Sequence, residues 1–560
     1  MKKRLLVLAL VFAMLLPMFG CGARVTQELD SSKTQLIVGV GQGGIGVEWL
    51  KSAIAKFEAK YADYSFEEGK KGVQVVIGSN NRTTMIGSTL IDIVQTSDIK
   101  DDIFFVENVF YQNWIQKGNL LDITEYVYQD LTEFGEDKSI ADKMDQDILD
   151  SLTVDGKIYA LPYYHGNYLF VYNSTLFDEE RWYLDVNGDF TNASGNLGTG
   201  PDGKSGTYDD GLPRTYDEFF KVMDQIAKDN CTPIAFPGAS QEYISWLVSE
   251  MAADAMGYDQ FKLNYSLDGT ATLAVEDSIN WDTMTFETEE VQITAANGYE
   301  LARQPGLLYA LKFAERLLQS NTYYDINNCM SGSYKISQSQ LDFVRNPTVA
   351  SKKNIAILVD GSWWENEASA SFQETFGMGA TKYDADMDYK AMPFPKPTEE
   401  MVGNESVMVG NLHDSYCLIK SNIAENKKEA AVKFMQFCHT DAQMNEFTAM
   451  TSLIKPYNYD TSSDKTTSFG QSIADMQANS KVALPMADGE LFRYASNDFW
   501  IVHWMRCKYD PNKSAGVSLV AILNMKGANG ELLYDAESYW RGIMEYRKNE
   551  RWVQYEGVLN

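Results

Sequence analysis

Histidine and paired cysteine are scarce in this chain. The 560 residues include four His, at 165, 413, 439 and 503, and none stands at metal-ligand spacing from another or from a Cys. A zinc site has no support from such a pattern. Cys21, Cys231, Cys329, Cys417, Cys438 and Cys507 contain no CxxC pair, and setting Cys21 aside leaves an odd, scattered set, which argues against a disulfide framework. Basic charge is also short: 48 Lys and Arg face 78 Asp and Glu, a formal net charge of -30. Phosphate binding needs clustered cations, so the balance argues against nucleic acid or an anionic membrane surface and favours a neutral or cationic ligand. Beyond the first 20 residues no apolar run reaches the length of a membrane span, and there is no internal repeat or low-complexity tract.

What is present begins with an apolar run over 5–19, preceded by Lys2, Lys3 and Arg4 and closed by Met18-Phe19-Gly20-Cys21. That order of basic, apolar and small residues is an export signal. A Cys after Gly20 resembles the bacterial lipobox, which implies a signal peptide over 1–20, cleavage before Cys21 and acylation of Cys21, palmitate included. Residues 21–35 then serve as lipidated N-terminus and linker, and the protein is expected outside the cytoplasm, held to the cell membrane by acyl chains alone. The plainer alternative is an ordinary signal peptide in which Cys21 is incidental.

The length calls for two or more lobes. Apolar runs at 36–40, 73–77 and 103–106 read as strands. Between the first two, Leu50, Ala53, Ile54 and Phe57 mark one face of a helix over 47–61. Such alternation predicts a parallel α/β sheet. Thr215 with Glu218 predicts a capping box ahead of Phe219, Val222, Met223 and Ile226, and Asn426 with Glu429 repeats it ahead of Ala431, Phe434, Met435 and Cys438. Residues 185–211, rich in Gly, Asp and Asn, read as a long loop inserted before the Thr215 helix.

The first strand runs into Gly41-Gln42-Gly43-Gly44-Ile45-Gly46, a literal GxGxxG. As a dinucleotide fingerprint it lacks the carboxylate expected after the second strand, which ends in Gly78-Ser79-Asn80. The other reading is a loop that brings backbone N–H groups to a ligand at a strand's C-terminal edge. Further on, Asp102-Ile103-Phe104-Phe105 with Trp114 to Thr124, Asp155 to Pro162 with Tyr172-Asn173, Pro213 to Phe219, Asp360-Gly361-Ser362-Trp363, and the helix from Asn426 to Phe437 follow one another in the order seen in family 1 extracellular solute-binding proteins, the receptors of ABC sugar importers. The chain resembles that family over nearly its whole mature length.

The resemblance implies a two-lobed, type II periplasmic-binding-protein fold with three interlobe crossings. Lobe one would hold 36–159 and 411–455, and lobe two 160–410 and 456–560 with the insert. It also implies a monomer that captures a sugar or oligosaccharide in the cleft and passes it to the transmembrane subunits of an ABC permease, with no catalysis and no required cofactor. The rival readings are a secreted glycoside hydrolase or another carbohydrate-active surface lipoprotein.

Sugar offers apolar ring faces and many hydroxyls, which aromatic and polar side chains recognise together. Aromatics expected at strand ends are Tyr163, Tyr243, Trp246, Trp363 and Trp364, with His165 beside the first. The resemblance makes Trp363 the foremost stacking platform, and simple core packing is the alternative for each. Glu107 and Asn108 after the third strand, and Gln42 and Gly43 in the first loop, are the polar candidates. In the insert, Asp185, Asn187 and Asp189 alternate as calcium ligands do, and Asp209 and Asp210 stand ready to complete a structural Ca2+ site. The alternative is a solvated, turn-rich loop.

Overall fold

A computed structural model describes residues 29–40, 44–78, 101–107, 111–410, 415–485, 505–509 and 519–553. Its main strands, in chain order, are β1 Thr34–Val40, β2 Val73–Ile77, β3 Ile103–Glu107, β4 Ala160–Tyr164, β5 Tyr168–Asn173, β6 Thr232–Ala235, β7 Ile355–Gly361, β8 Tyr389–Met392 and β9 Ser415–Ile419. They form two sheets, ordered β2-β1-β3-β9-β4 and β6-β7-β5-β8. The strands read at 36–40, 73–77 and 103–106 fall within β1, β2 and β3, and β1 pairs in parallel with both others.

Neither sheet is wholly parallel, which corrects the expectation. β9 runs against β3 and β4, and β5 runs against β7 and β8. The connections explain the direction. β4 leaves the first sheet and, after His165, Gly166 and Asn167, the chain enters the second as β5; β9 comes back the other way after β8. A strand arriving from the other sheet enters at the edge where its neighbours end, so it must run against them. It follows that β1, β3, β4, β7 and β8 all point their C-terminal ends toward the side where the sheets exchange strands, where open α/β sheets bind ligands.

Helix α1, Glu48–Lys60, follows the glycine loop and buries Trp49, Leu50, Ala53, Ile54 and Phe57, the face read from the sequence with Trp49 added. Leu50, Ile54 and Phe57, removed from water, are each worth about 1.5–3 kcal/mol before entropy is counted. Thr215 caps α2, Tyr216–Lys228, by accepting from the Glu218 N–H at 3.2 Å. Glu218 does not close the box; its carboxylate takes the Arg214 N–H at 2.8 Å and the Arg214 guanidinium at 2.6 Å. Helices α3, Glu242–Met256, and α4, Pro305–Leu318, pack on each other beside the second sheet, and α5, Ile336–Arg345, lies behind β7.

The second predicted capping box does not form. α6, Glu425–Cys438, begins one residue before Asn426, with the extended Ala424 at its cap position and no side-chain cap. Asn426 therefore lies inside the first turn, where its side chain has no cap to make. α7, Asp441–Thr451, packs on α1, and α8, Ser468–Ala478, packs on β8, so the chain reaches the second sheet again between Thr451 and Ser468. Among the described residues no helix is long and apolar enough to cross a membrane.

Candidate ligand-binding site

β7 is buried along its whole length and ends at Gly361, opposite Tyr168 in β5. The chain then turns through Ser362 into Trp363. Ser362 donates its N–H to the Asn167 carbonyl at 2.9 Å, and its hydroxyl accepts from the Asn167 N–H at 3.2 Å. Trp363 folds back over Gly361 so closely that a Cβ there would stand 2.3 Å from the indole. Glycine at 361 is therefore a condition of this pose.

Three of the expected aromatics meet around Tyr168. Its ring centroid lies 5.1 Å from Tyr243, 4.7 Å from Trp246 and 5.0 Å from Trp363, the last edge-on at 87°. Tyr243 and Trp246 stand three apart on α3, so one helix face delivers both. Trp363 and Tyr243 are 5% exposed, while Trp246 is half-buried.

A carboxyl pair adjoins this cluster. Gln340 on α5 donates from its one amide nitrogen to Asp360 at 3.1 Å and to Glu367 at 2.8 Å. The Trp363 indole also bonds to Glu367 and to the Tyr243 hydroxyl. Burial first, and the nearby Glu367 second, push the Asp360 carboxyl well above the usual carboxylate range. Burial likewise raises Glu367, against the hydrogen bonds from Gln340 and Trp363. From the first sheet, Gly44 approaches so near that a Cβ on it would lie 3.0 Å from the Glu367 Cβ. Gly44, just after the first strand of one sheet, thus abuts the ring-and-carboxyl cluster of the other, and the arrangement pairs an apolar face with carboxyl groups.

Other expected residues lie elsewhere. Trp364 is fully buried among Phe343, Phe372, Tyr389 and Phe469, with centroids 5.1–5.9 Å away. Tyr163 is 2% exposed and, on a strand of the first sheet, packs against Trp49, Phe105 and Phe447 at 4.5–5.1 Å. The buried Lys455 ammonium sits 2.8 Å above its ring centroid and donates to its carbonyl at 3.0 Å. His165 is held in the crossing by Gln477, 2.8 Å from Nε2, and burial pushes it down to about 4, so it is neutral at ordinary pH. Glu107 is the last residue of β3, its backbone paired with Ser415. Gln42, Gly43, Asn108 and Cys21, with the signal segment, lie outside the described residues.

Sequence reasoning passed over Tyr168, Gln340, Asp360 as a buried acid, and Glu367. Tyr168 opens a strand buried at every position, so alternation gave no signal. The other three come from segments that meet only in the fold.

The insert residues serve its own turns. The Asp185 carboxylate accepts from the N–H groups of Asn187 at 2.8 Å and Asp189 at 2.9 Å. Asp209 accepts from the Asp202 N–H at 3.0 Å and the Thr207 hydroxyl at 2.8 Å, while Asp210 accepts from the Gly206 N–H at 2.7 Å. Burial first, with Asp202 contributing, pushes Asp209 up to about 6. Among the described residues no group of three or more His, Cys, Asp or Glu side chains is placed to hold a metal ion.

The chain belongs to the bacterial extracellular solute-binding proteins, whose family model matches residues 53–468. Among curated protein sequences none matches. The apo form of RafE from Streptococcus pneumoniae is similar in structure at a TM-score of 0.57 and 13% identity, covering 94% of this chain and 100% of that one. RafE in complex with raffinose gives 0.54 at 12% identity, covering 91% and 100%. A chitin oligosaccharide binding protein gives 0.51 at 18% identity, covering 93% and 99%. At these identities the likeness establishes the mixed α/β, two-lobed fold.

Proposed function

We propose that this protein captures a sugar or oligosaccharide between its two lobes and delivers it to the transmembrane subunits of an ABC permease, without catalysis. The observation that carries the reading is the cluster of Trp363, Tyr168, Tyr243 and Trp246 at the C-terminal end of β7, with Gly44 from beyond β1 set against the neighbouring Glu367. A sugar ring supplies an apolar face for an indole and hydroxyls that can bond to carboxyl groups, so the two halves of the site suit one ligand. Trp363 is the stacking platform in this reading, with Tyr243 and Trp246 beside it and Gln42, Gly43, Glu107 and Asn108 supplying polar contacts from the first lobe. Family membership and the raffinose and chitin-oligosaccharide receptors of similar fold support it. Acyl chains on Cys21 hold a monomer outside the cell membrane within reach of the permease.

The test is a thermal-shift and calorimetric screen of raffinose, chitooligosaccharides and xylooligosaccharides. A ligand that binds only the folded state must raise the melting temperature. Saturable binding without release of reducing sugar is expected. Release of reducing sugar would make the protein a hydrolase, and no binding to any saccharide would remove sugar as the ligand class.

A further inference from the structure

We infer that Glu365 is a positioning residue which ties the turn carrying Trp363 to the chain segment joining α7 to the second sheet, so that the ligand platform and the interlobe connections move as one unit. The inference rests on Trp363 lying in the ligand site.

The turn from Ser362 to Asn366 is fastened at both ends. On its near side Ser362 exchanges hydrogen bonds with Asn167, which lies in the passage from β4 to β5. Asn167 Nδ2 also donates to the Val409 carbonyl at 2.7 Å, just before the chain returns to the first sheet. On its far side the Glu365 carboxylate accepts from the Ser452 hydroxyl at 2.5 Å and the Thr467 hydroxyl at 2.8 Å, with the Lys382 ammonium at 3.1 Å. Asn366 donates to the Thr451 carbonyl. Glu365 is 5% exposed and Ser452 2%.

Ser452 ends α7 in the left-handed region at φ 59°, an unfavourable conformation for a residue with a side chain. Its hydroxyl is spent on Glu365, and a Cβ on Gly470 of α8 would lie 3.2 Å from that oxygen. One carboxylate therefore gathers donors from the end of a first-lobe helix, the cap residue of a second-lobe helix and a second-lobe lysine. Among the described residues, two of the segments by which the chain passes between the sheets, 165–167 and 451–467, meet this turn through hydrogen bonds, and the passage at Val409 is tied to it through Asn167. A shift of Trp363 on stacking against a ligand must pull on those segments, and a change in the segments must displace Trp363; such coupling is reciprocal.

Hydrogen exchange on the full chain tests this without a ligand. Glu365→Ala and Ser452→Gly are the variants. Glycine accepts the left-handed backbone, so Ser452→Gly folds even where other substitutions fail. Loss of the latch should speed amide exchange about tenfold over 361–367 and 165–168, with the hairpin over 269–293 unchanged. Glu365→Gln keeps an acceptor for both hydroxyls and should restore the slow rates. Acceleration confined to 448–455, or equal acceleration in the Gln and Ala variants, overturns the inference. Because this readout needs no sugar, it stands or falls separately from the ligand screen. Where a saccharide from that screen binds, its dissociation from Ser452→Gly should be several-fold faster than from the wild type, and an unchanged rate also overturns the inference.

Discussion

Asp360 and Glu367 accept hydrogen bonds from the same amide nitrogen of Gln340, at 3.1 and 2.8 Å. Burial raises both acids above their ordinary values, with the neighbouring Glu367 adding to the rise of Asp360, and the single neutral donor offsets this only in part. The stability consequence has a definite sign. Below the ordinary carboxylate range both folded and unfolded chains hold these protons and the folded state pays no penalty. As pH rises, the unfolded chain releases its protons first, and the folded state loses relative stability until pH has passed the raised values.

Asp360→Asn should therefore raise the melting temperature near neutral pH, with a gain that shrinks toward about pH 4 as the unfolded wild-type chain also takes up its protons. Differential scanning calorimetry at the two pH values checks this. A gain independent of pH would mean that Asp360 is not held protonated by its surroundings. A costly acid pair kept beside an aromatic cluster fits a site maintained for binding rather than for stability.

Trp363 and Trp364 are adjacent, yet only the first substitution should act on binding. Trp363→Ala should lower the saccharide affinity of the folded protein about ten- to a hundredfold, equivalent to about 1–3 kcal/mol, beside the stability lost with a side chain that is only 5% exposed. Trp364→Ala leaves a cavity among four aromatic rings and should cost about 3–5 kcal/mol of stability while the folded fraction binds normally. Calorimetric titration together with denaturant unfolding of both variants separates the roles. Equal affinity in wild type and Trp363→Ala would move the platform elsewhere.

Asp185 and Asp209 each hold the insert through local hydrogen bonds, a means of ordering that needs no ion. Chelator is accordingly expected to leave the melting temperature and the protease resistance of 185–211 unchanged, whereas Asp209→Ala, which frees the Asp202 N–H and the Thr207 hydroxyl, should expose the loop to cleavage. A fall in melting temperature with chelator would instead place calcium among Asp185, Asn187, Asp189, Asp209 and Asp210.

Cys21→Ser should release the exported protein from the membrane fraction into the surrounding fluid, since acyl chains are the proposed anchor. Fractionation followed by immunoblotting measures the shift. Unchanged retention would point to a different attachment.

The first sheet was legible in the sequence because each of its leading strands is a short apolar run followed by a loop or helix with a clear period. The direction of β9 and β5 was not, since a strand's orientation depends on the sheet from which the chain arrives. Trp363, Tyr243 and Trp246, singled out by residue type and expected placement at strand ends, do come together around Tyr168. The same reasoning could not separate Trp364 or Tyr163 from them, because both lie in segments buried on every side and carry no alternation that tells a core face from a cleft face. Glu367 and Gln340 left no local signal; 27 residues of chain separate two groups that share a hydrogen bond.

Gly361 decides more than a turn. The indole of Trp363 occupies the space that a methyl group at 361 would fill, so the two are mutually exclusive occupants of one volume. The residue at this position therefore works as a written record of the rotamer two places on. In a protein of this architecture, an alanine there would announce that the tryptophan has swung away and that its ligand must be met from a different angle.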